Sequence, residues 1–143
     1  MRLIENKKIG MDYVVTETIS CGIELLGLEV KSLRSKLGSI AGSRVLIRGG
    51  EAYLIGSFIP PYQENNTPSD YDPYRNRRLL LNKGEIEKLV REEQSNHLTL
   101  VPVSLYLKNN LIKIDVGLCK KKLKGDKREN IKKDIARREL RSK

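Results

Sequence analysis

The most constraining feature of this sequence is a pair of alternating runs near its C-terminal end. Leu98–Lys108 and Ile112–Leu118 alternate between apolar and other residues, and Asn109-Asn110 separates them. Successive side chains of a β-strand point to opposite faces, and asparagine tolerates the left-handed backbone that a two-residue hairpin turn requires. The pattern predicts a β-hairpin with one buried face, and it places Lys113 and Asp115 together on the other face.

Four further segments of the chain carry strand signals. Lys7–Ile19 is rich in β-branched and aromatic residues, and a short apolar run with Ile23, Leu25 and Leu26 follows it. Arg44–Arg48 and Glu51–Ile55 flank Gly49-Gly50, a pair suited to a hairpin turn. With the C-terminal hairpin these segments predict a mainly β fold: a closed, six-stranded antiparallel barrel of the oligonucleotide/oligosaccharide-binding type.

Two stretches show helical spacing, and we expect two or three helices in all. In the first, apolar residues recur three or four positions apart, at Leu26, Val30, Leu33 and Leu37. This stripe should face the core and leave five residues largely toward solvent: Glu29, Lys31, Ser32, Arg34 and Lys36. Gly38 is a plausible C-cap. The second helix should begin after the N-cap Asn82 and end near Gln94.

Positive charge is concentrated at the C-terminal end. Residues 1–119 hold 16 Lys or Arg against 14 Asp or Glu, a net charge of +2, whereas residues 120–143 hold 12 against 4, a net charge of +8. The second segment is too charged to bury a core face. We therefore expect one domain, 1–119, and a basic tail, 120–143, that is disordered when free. Such a tail suits a polyanion, with RNA, DNA and an anionic membrane as candidates.

Other function classes find little support in the sequence. No apolar run is long enough for a membrane span, and the first residues lack the pattern of a signal peptide, so a cytoplasmic location is expected. Cys21 and Cys119 are far apart and should be small buried residues. His97, the only histidine, has no nucleophile or carboxylate close by in sequence. We predict no cofactor, no metal and no catalytic residue, in a protein that is monomeric.

A long loop joins the two halves of the predicted barrel. Residues 60–76 hold four of the five prolines and three tyrosines, and the arginines Arg75, Arg77 and Arg78 come at its end or directly after it. Tyrosine can stack on exposed bases and arginine can pair with phosphates, so the arginines favour RNA binding. The alternative is that the loop seals the edge of the barrel, which we favour for Tyr62 and Tyr71.

Several motifs in order resemble the SsrA-binding protein family, the bacterial partners of transfer-messenger RNA. They are Asn6-Lys7, Gly27-x-Glu29-Val30-Lys31-Ser32-Leu33-Arg34, Gly50–Leu54, Asp72-Pro73-Tyr74-Arg75-Asn76-Arg77-Arg78-Leu79-Leu80-Leu81, and Asp126-Lys127-Arg128 followed by Ile131-Lys132. The resemblance extends from Asn6 to about Glu139. It departs from the family at Ser20, where many members carry an acidic residue, and at Gly125, where an aromatic residue or histidine is usual.

The resemblance implies a non-enzymatic RNA-binding factor of trans-translation, the process that rescues stalled ribosomes and tags their unfinished peptides. The barrel would hold the tRNA-like domain of transfer-messenger RNA, and the tail would enter the decoding region of the small subunit and become helical there. The implied RNA-binding residues are Asn6, Lys7, Gly22, Glu29, Lys31, Arg34, Arg75, Arg77, Arg78, Leu80 and Lys113. The implied ribosome-binding residues of the tail are Lys120, Lys122, Asp126, Lys127, Arg128, Ile131 and Lys132.

Two other functions are compatible with parts of the sequence. A ribosomal or ribosome-assembly protein could use the same basic tail to bind structured ribosomal RNA. A metal-dependent nuclease would need a carboxylate cluster such as Glu64, Asp70 and Asp72, but these lie in one loop without a second acidic cluster to complete a two-metal site.

Overall fold

The computed structural model describes residues 1–63 and 67–122. This part of the chain forms one antiparallel sheet with three helices beside it. The strands are β1 (Arg2–Glu5), β2 (Tyr13–Ile23), β3 (Arg44–Arg48), β4 (Glu51–Ile55), β5 (Arg77–Leu80), β6 (Thr99–Lys108) and β7 (Leu111–Lys121). The helices are α1 (Ile9–Asp12), α2 (Gly27–Arg34) and α3 (Lys83–Ser95).

The mainly β character is as predicted, but the closed barrel is not confirmed. The seven strands follow the order β1-β6-β7-β2-β5-β4-β3, and the sheet curls until β3 lies near β6. Within the described residues no ladder hydrogen bonds join β3 to β6 or to β1, so the sheet stays open with β1 and β3 as its edges. A seam therefore separates the two ends of the sheet.

The strand count differs from the predicted six for local reasons. The two predicted strands around Ile19 and Ile23 are one continuous strand, β2, because Gly22 stays in the ladder and pairs with both neighbouring strands. β1 was missed because it is only four residues long. β5 was missed because it begins with two arginines, which resemble the end of the preceding loop.

Turn and capping chemistry was predicted more accurately. Gly49 and Gly50 have φ values of 60° and 76°, and Asn109 and Asn110 have 51° and 62°, as two-residue hairpin turns require. Asn82 caps α3: its side chain accepts a hydrogen bond from the Glu85 amide, and the Glu85 side chain accepts one from the Asn82 amide.

The prediction that Gly38 caps the first helix is wrong. α2 ends at Arg34 with Ser35 as its C-cap. Gly38 has a φ of 109°, and a Cβ there would come within 2.7 Å of the Phe58 carbonyl oxygen. A glycine is needed because two backbone segments meet at this point, where Ser39 and Phe58 form an isolated β-bridge.

The core lies on one face of the curled sheet. Its fully buried side chains include Leu33 of α2, Leu89 of α3 and, from the sheet, Leu54, Leu79, Leu105, Ile114 and Leu118. Cys21 and Cys119 are free and buried thiols, as predicted, and Cys21 belongs to this core. Burial raises the pKa of Cys21 to about 12 and that of Cys119 to about 11, so both thiols stay protonated at neutral pH.

The buried stripe of α2 is not the predicted one. Leu26 and Leu37 are 45% and 41% exposed, whereas Glu29 and Ser32 are completely buried beside Leu33. The helix is therefore rotated, and the expectation that Glu29 and Ser32 face solvent is wrong. The cause is a set of hydrogen-bond partners for Glu29 from the distant loop that ends in β5.

At the C-terminal end, β7 continues to Lys121, two residues past the predicted domain boundary at residue 119. Lys120 pairs with Val14 of β2, and the Lys122 amide donates to the Asp12 carbonyl oxygen. The predicted tail residues Asp126, Lys127, Arg128, Ile131 and Lys132 lie outside the described residues. A separate finding concerns membranes: no helix in the described ranges is long and apolar enough to cross one.

Candidate nucleic-acid interface

A row of three predicted site residues crosses the outer face of the sheet, opposite the core. Gly22 of β2 pairs with Lys113 of β7 on one side and with Leu80 of β5 on the other. Leu80 is 49% exposed, and Lys113 is partly exposed. The fold thus brings together an ammonium group and an apolar side chain that are separated by 33 positions in the sequence.

Gly22 gives this row its shape. A Cβ at this position would come within 3.2 Å of Leu80 Cδ1, closer than ordinary packing allows. Because glycine has no side chain, the Leu80 side chain can lie against the β2 backbone at this point, in the same row as Lys113. The row can therefore offer an RNA two kinds of contact: an apolar surface at Leu80 for a base or a sugar, and a cation at Lys113.

A second row on the same face was only partly predicted. Ser20 of β2 pairs with Asp115 of β7, and Asp115 pairs with Ser104 of β6. The Ser20 hydroxyl shares a hydrogen bond with the hydroxyl of Tyr106, so the tyrosine reaches from β6 across β7. Within the described residues no hydrogen bond or ion pair engages the Asp115 carboxylate.

This arrangement bears on the departure from the family at Ser20. No carboxylate stands on β2 at that position, but the carboxylate of Asp115 lies directly opposite it on β7. The alternation of β7 predicted that Asp115 shares a face with Lys113. The part played by Tyr106 was missed, because its contact spans two strands and 86 positions of sequence.

Arg78 continues the outer face two positions before Leu80. Its Nε donates to Glu51 Oε2 at 2.8 Å, and its Nη1 lies 3.4 Å from Glu24 Oε1. Its side chain is 43% exposed, so the guanidinium stays accessible while it is paired. A phosphate that binds Arg78 would compete with these two carboxylates.

Beneath the other face, a buried polar cluster is centred on Glu29. Arg77 donates from Nε at 2.8 Å and from Nη2 at 2.6 Å to Glu29 Oε2. Arg75 donates from Nε to the same oxygen at 3.0 Å and from Nη2 to Oε1. The Leu26 amide also donates to Oε1, at 2.7 Å. Two guanidinium groups and the N-terminus of α2 therefore share one carboxylate.

Arg77 also ties the long loop to this cluster. Its guanidinium donates to the hydroxyl of Ser57 at 2.9 Å, and to the carbonyl oxygens of Pro73 at 2.9 Å and Arg75 at 3.0 Å. Tyr71 donates to the Ile59 carbonyl oxygen at 2.7 Å and accepts from Arg77. The cluster thus holds the segments around Ser57 and Pro73 together beside the start of β5.

These contacts correct two predicted RNA contacts. Glu29 and Arg77 have no exposed side-chain surface, so neither can touch a ligand that lies outside the protein. They are positioning residues, which hold α2 and the loop against the sheet. Arg75 differs from them, because 29% of its side chain is exposed beside its ion pair with Glu29.

The predicted contact through Asn6 has little exposed surface to support it, since only 6% of this residue is exposed. Asn6 is buried, and its Nδ2 donates to the Pro102 carbonyl oxygen at 3.0 Å. Lys7, Lys31 and Arg34 are exposed, and no ion pair holds them within the described residues. Lys31 lines a separate cleft of about 290 Å³ with Tyr62 of the loop.

The electrostatics of the cluster oppose protonation of Glu29. Burial would raise the pKa of this carboxyl, but hydrogen bonds from Arg75, the Leu26 amide and Arg77 outweigh it and hold the pKa below its ordinary value. Burial and the charge of Glu29 together raise the pKa of Tyr71. The carboxylate is thus ionised and the phenol neutral at physiological pH.

The lowered pKa of Glu29 predicts how stability depends on pH. The Glu29 carboxyl binds its proton at a higher pH in the unfolded chain than in the folded one. The stabilisation that the ionised carboxylate provides is therefore complete above the unfolded carboxyl pKa of about 4.3. This stabilisation is lost as the pH falls through the lower pKa that Glu29 has in the folded state. The stability gap between the wild type and Glu29→Gln, measured by urea unfolding, should therefore narrow below about pH 4. A gap unchanged down to pH 3 would contradict this assignment.

Comparison with known proteins defines the family of this chain. The family model described as "SmpB protein" matches residues 3–143. The chain belongs to this family. An "SsrA-binding protein" of Thermosynechococcus vestitus is 42% identical over 138 residues, which are 96% of this chain and 91% of the relative. One of Mesoplasma florum is 46% identical over 137 residues, 95% of this chain and 92% of the relative. The family resemblance found in the motifs is confirmed.

A solved structure gives the same result for the fold. It is described as "tmRNA-SmpB: a journey to the center of the bacterial ribosome" and is similar to this chain with a TM-score of 0.72 at 35% identity. The match covers 92% of this chain and 95% of the solved one. The SmpB family thus accounts for both the sequence motifs and the arrangement of the strands.

The nuclease hypothesis requires a metal site. In residues 1–63 and 67–122, no three His, Cys, Asp or Glu side chains are grouped so that they could hold a metal ion. Asp72 is engaged as a turn residue, since its Oδ1 accepts from the Tyr74 amide at 2.9 Å. Glu64 lies outside the described residues.

Proposed function

We propose that this protein is a non-enzymatic RNA-binding factor of trans-translation. It binds the tRNA-like domain of transfer-messenger RNA, brings it to stalled ribosomes, and uses its C-terminal segment in the decoding region so that the unfinished peptide is tagged. Relatives that carry the name SsrA-binding protein, and a similar structure described with transfer-messenger RNA and the ribosome, support this proposal.

The observation that carries the proposal is the row Lys113–Gly22–Leu80. It joins a cation, a glycine against which Leu80 packs, and the exposed apolar side chain of Leu80 on the outer face of the sheet. An enzyme would need a set of reactive side chains here, whereas this row offers only the means of binding. Single-stranded or looped RNA presents phosphates and unstacked bases, which match these two kinds of contact.

Other exposed cations extend the proposed surface around this row. Arg78 lies next to Leu80 on the same face, and Arg75 reaches the surface from the buried cluster. Lys7, Lys31 and Arg34 would add phosphate contacts that position the RNA without reading its sequence. Glu29 and Arg77 support the surface from below by fixing α2 and the loop.

The proposed division of labour assigns the ribosome to the C-terminal segment. We propose a folded RNA-binding domain that ends near Lys122 and a basic tail after it. Lys120 and Lys122 stand at the junction, and Asp126, Lys127, Arg128, Ile131 and Lys132 would make the contacts in the decoding region. The net charge of +8 over residues 120–143 favours attachment to ribosomal RNA.

Lys113→Ala and Leu80→Ala should each weaken binding of the tRNA-like domain, but with different responses to salt. Loss of a phosphate-pairing lysine should reduce the slope of log affinity against log salt by about one. Loss of an apolar contact should leave that slope nearly unchanged. Filter binding at several salt concentrations measures both quantities.

The matched controls are Lys36→Ala and Leu37→Ala, which remove one exposed residue of each type just after α2. Both should bind RNA as the wild type does. Equal slopes for Lys113→Ala and Leu80→Ala, or equal losses in the controls, would argue against the roles assigned to the row.

A further inference from the structure

One carboxylate on the outer face of the sheet has no counter-charge. In residues 1–63 and 67–122, four acidic side chains belong to strands, and three of them form ion pairs: Glu5 with Arg2, Glu17 with Lys88 and Glu51 with Arg78. Asp115 of β7 is the exception, since it forms no ion pair with a described residue. It is partly exposed and alternates with the buried Ile114 and Val116, so its side chain stands on the outer face.

Tyr106 keeps Asp115 apart from Lys113, the cation two positions earlier on the same face. Tyr106 of β6 pairs with Lys113, while its hydroxyl shares a hydrogen bond with the hydroxyl of Ser20, which pairs with Asp115. The tyrosine side chain therefore crosses β7 between the two charged positions. Lys113 and Asp115 do not pair with each other, and both charges stay available to a ligand.

A free carboxylate beside the proposed RNA site selects a particular kind of RNA group. It repels phosphates, and its two oxygens accept hydrogen bonds but donate none. The donors that RNA can offer are its 2′-hydroxyl groups and the edges of its bases. Guanine carries two neighbouring donors, N1–H and N2–H₂, on its Watson–Crick edge, so it can satisfy both carboxylate oxygens at once. Adenine, cytosine and uracil each offer one donor group on that edge.

We propose that Asp115 binds the Watson–Crick edge of an unpaired guanine in the tRNA-like domain, next to the Lys113–Gly22–Leu80 row. Its two oxygens accept from guanine N1–H and N2–H₂, while Lys113 pairs with a phosphate. The inference rests on the proposed function and deepens it. Phosphate and apolar contacts fix the position of an RNA without reading its sequence, whereas Asp115 reads one base.

The first test compares binding of the tRNA-like domain by the wild type and Asp115→Asn. Removing a negative charge from an RNA-binding face should by itself strengthen binding, because phosphates are repelled less. Loss of a bidentate contact to a base should instead weaken binding about tenfold. The sign of the change therefore separates a base contact from a surface charge.

Asp70→Asn is the matched control for this variant. Asp70 is an exposed residue of the long loop, and it forms no ion pair with a described residue. The same chemical change there should leave the affinity unchanged or slightly raise it. Asn has the shape of Asp, so both variants should keep the melting temperature of the wild type within a few degrees, which thermal unfolding checks.

The second test identifies the base. Inosine lacks the N2 amino group of guanosine, and it can be placed at a small random fraction of the guanosine positions when the tRNA-like domain is transcribed. RNA bound by the wild type should be depleted of inosine at one unpaired guanine or more, and RNA bound by Asp115→Asn should not be depleted at the same position. A parallel pool with 2′-deoxy substitutions reports contacts to the ribose.

Equal or tighter binding by Asp115→Asn, while Lys113→Ala still weakens binding, would overturn the inference and leave the proposed function intact. Depletion of 2′-deoxy positions without any depletion of inosine would assign the carboxylate to a ribose and contradict the guanine contact. No binding of the tRNA-like domain by the wild type would contradict the proposed function, and this inference with it.

Discussion

Replacing Glu29 by Gln should lower the free energy of unfolding by about 3–5 kcal/mol, the usual cost of removing one partner from a buried ion pair. The amide cannot compensate the two guanidinium groups that now share the carboxylate, and Arg77 is completely buried. Because Gln has the shape of Glu, the loss would reflect charge and hydrogen bonding rather than packing. Urea unfolding at pH 7 measures the difference.

Glu87→Gln is the matched control for this variant. Glu87 is an exposed residue of α3, so the same chemical change there should alter stability by no more than about 0.5 kcal/mol. A loss of similar size in both variants would show that the effect is not specific to the buried cluster. A Glu29→Gln protein as stable as the wild type would mean that the cluster does not anchor α2 and the loop.

A chain that ends after Lys122 should fold and bind the tRNA-like domain with most of the affinity of the full-length protein, and yet fail in peptide tagging. Lys122 is the appropriate end because its amide and Nζ donate to the carbonyl oxygens of Asp12 and Gly10. All seven described strands and the core lie before this point. Tagging on stalled ribosomes, measured beside RNA binding, tests both halves of this expectation.

Replacing Asp126, Lys127 and Arg128 together by Ala should reproduce much of the tagging failure at nearly unchanged RNA affinity. The triple change removes one unit of net charge, and Lys143→Ala removes the same amount at the end of the chain. A segment that docks specifically is sensitive to the triple change and not to the control, whereas a generic polycation responds to both alike. Normal tagging by the triple mutant would contradict specific docking.

The parts of the fold that depend on local chemistry could be predicted from the sequence. Asn109-Asn110 and Gly49-Gly50 encode their hairpins through the left-handed backbone, and Asn82 encodes the start of α3 through its capping contacts. The alternation of β7 likewise placed Lys113 on the outer face. Each of these inferences requires only residues that are close together in the chain.

The errors arose where distant residues decide the outcome. Glu29 is buried because Arg75 and Arg77, 46 and 48 positions later, supply the hydrogen bonds that compensate its charge. Helical spacing alone placed it toward solvent, as it would any glutamate. Gly22 was predicted as a site residue through the family resemblance, but its place between Lys113 and Leu80 depends on the register of three strands.

The most direct test of the central claim is to recover and sequence the RNA that copurifies with the full-length protein expressed in bacteria. The proposed function predicts strong enrichment of transfer-messenger RNA over ribosomal fragments of equal length, and loss of that enrichment in the double variant Leu80→Ala, Lys113→Ala. Recovery of ribosomal RNA with no enrichment of transfer-messenger RNA would contradict the proposal and favour a ribosomal or ribosome-assembly protein.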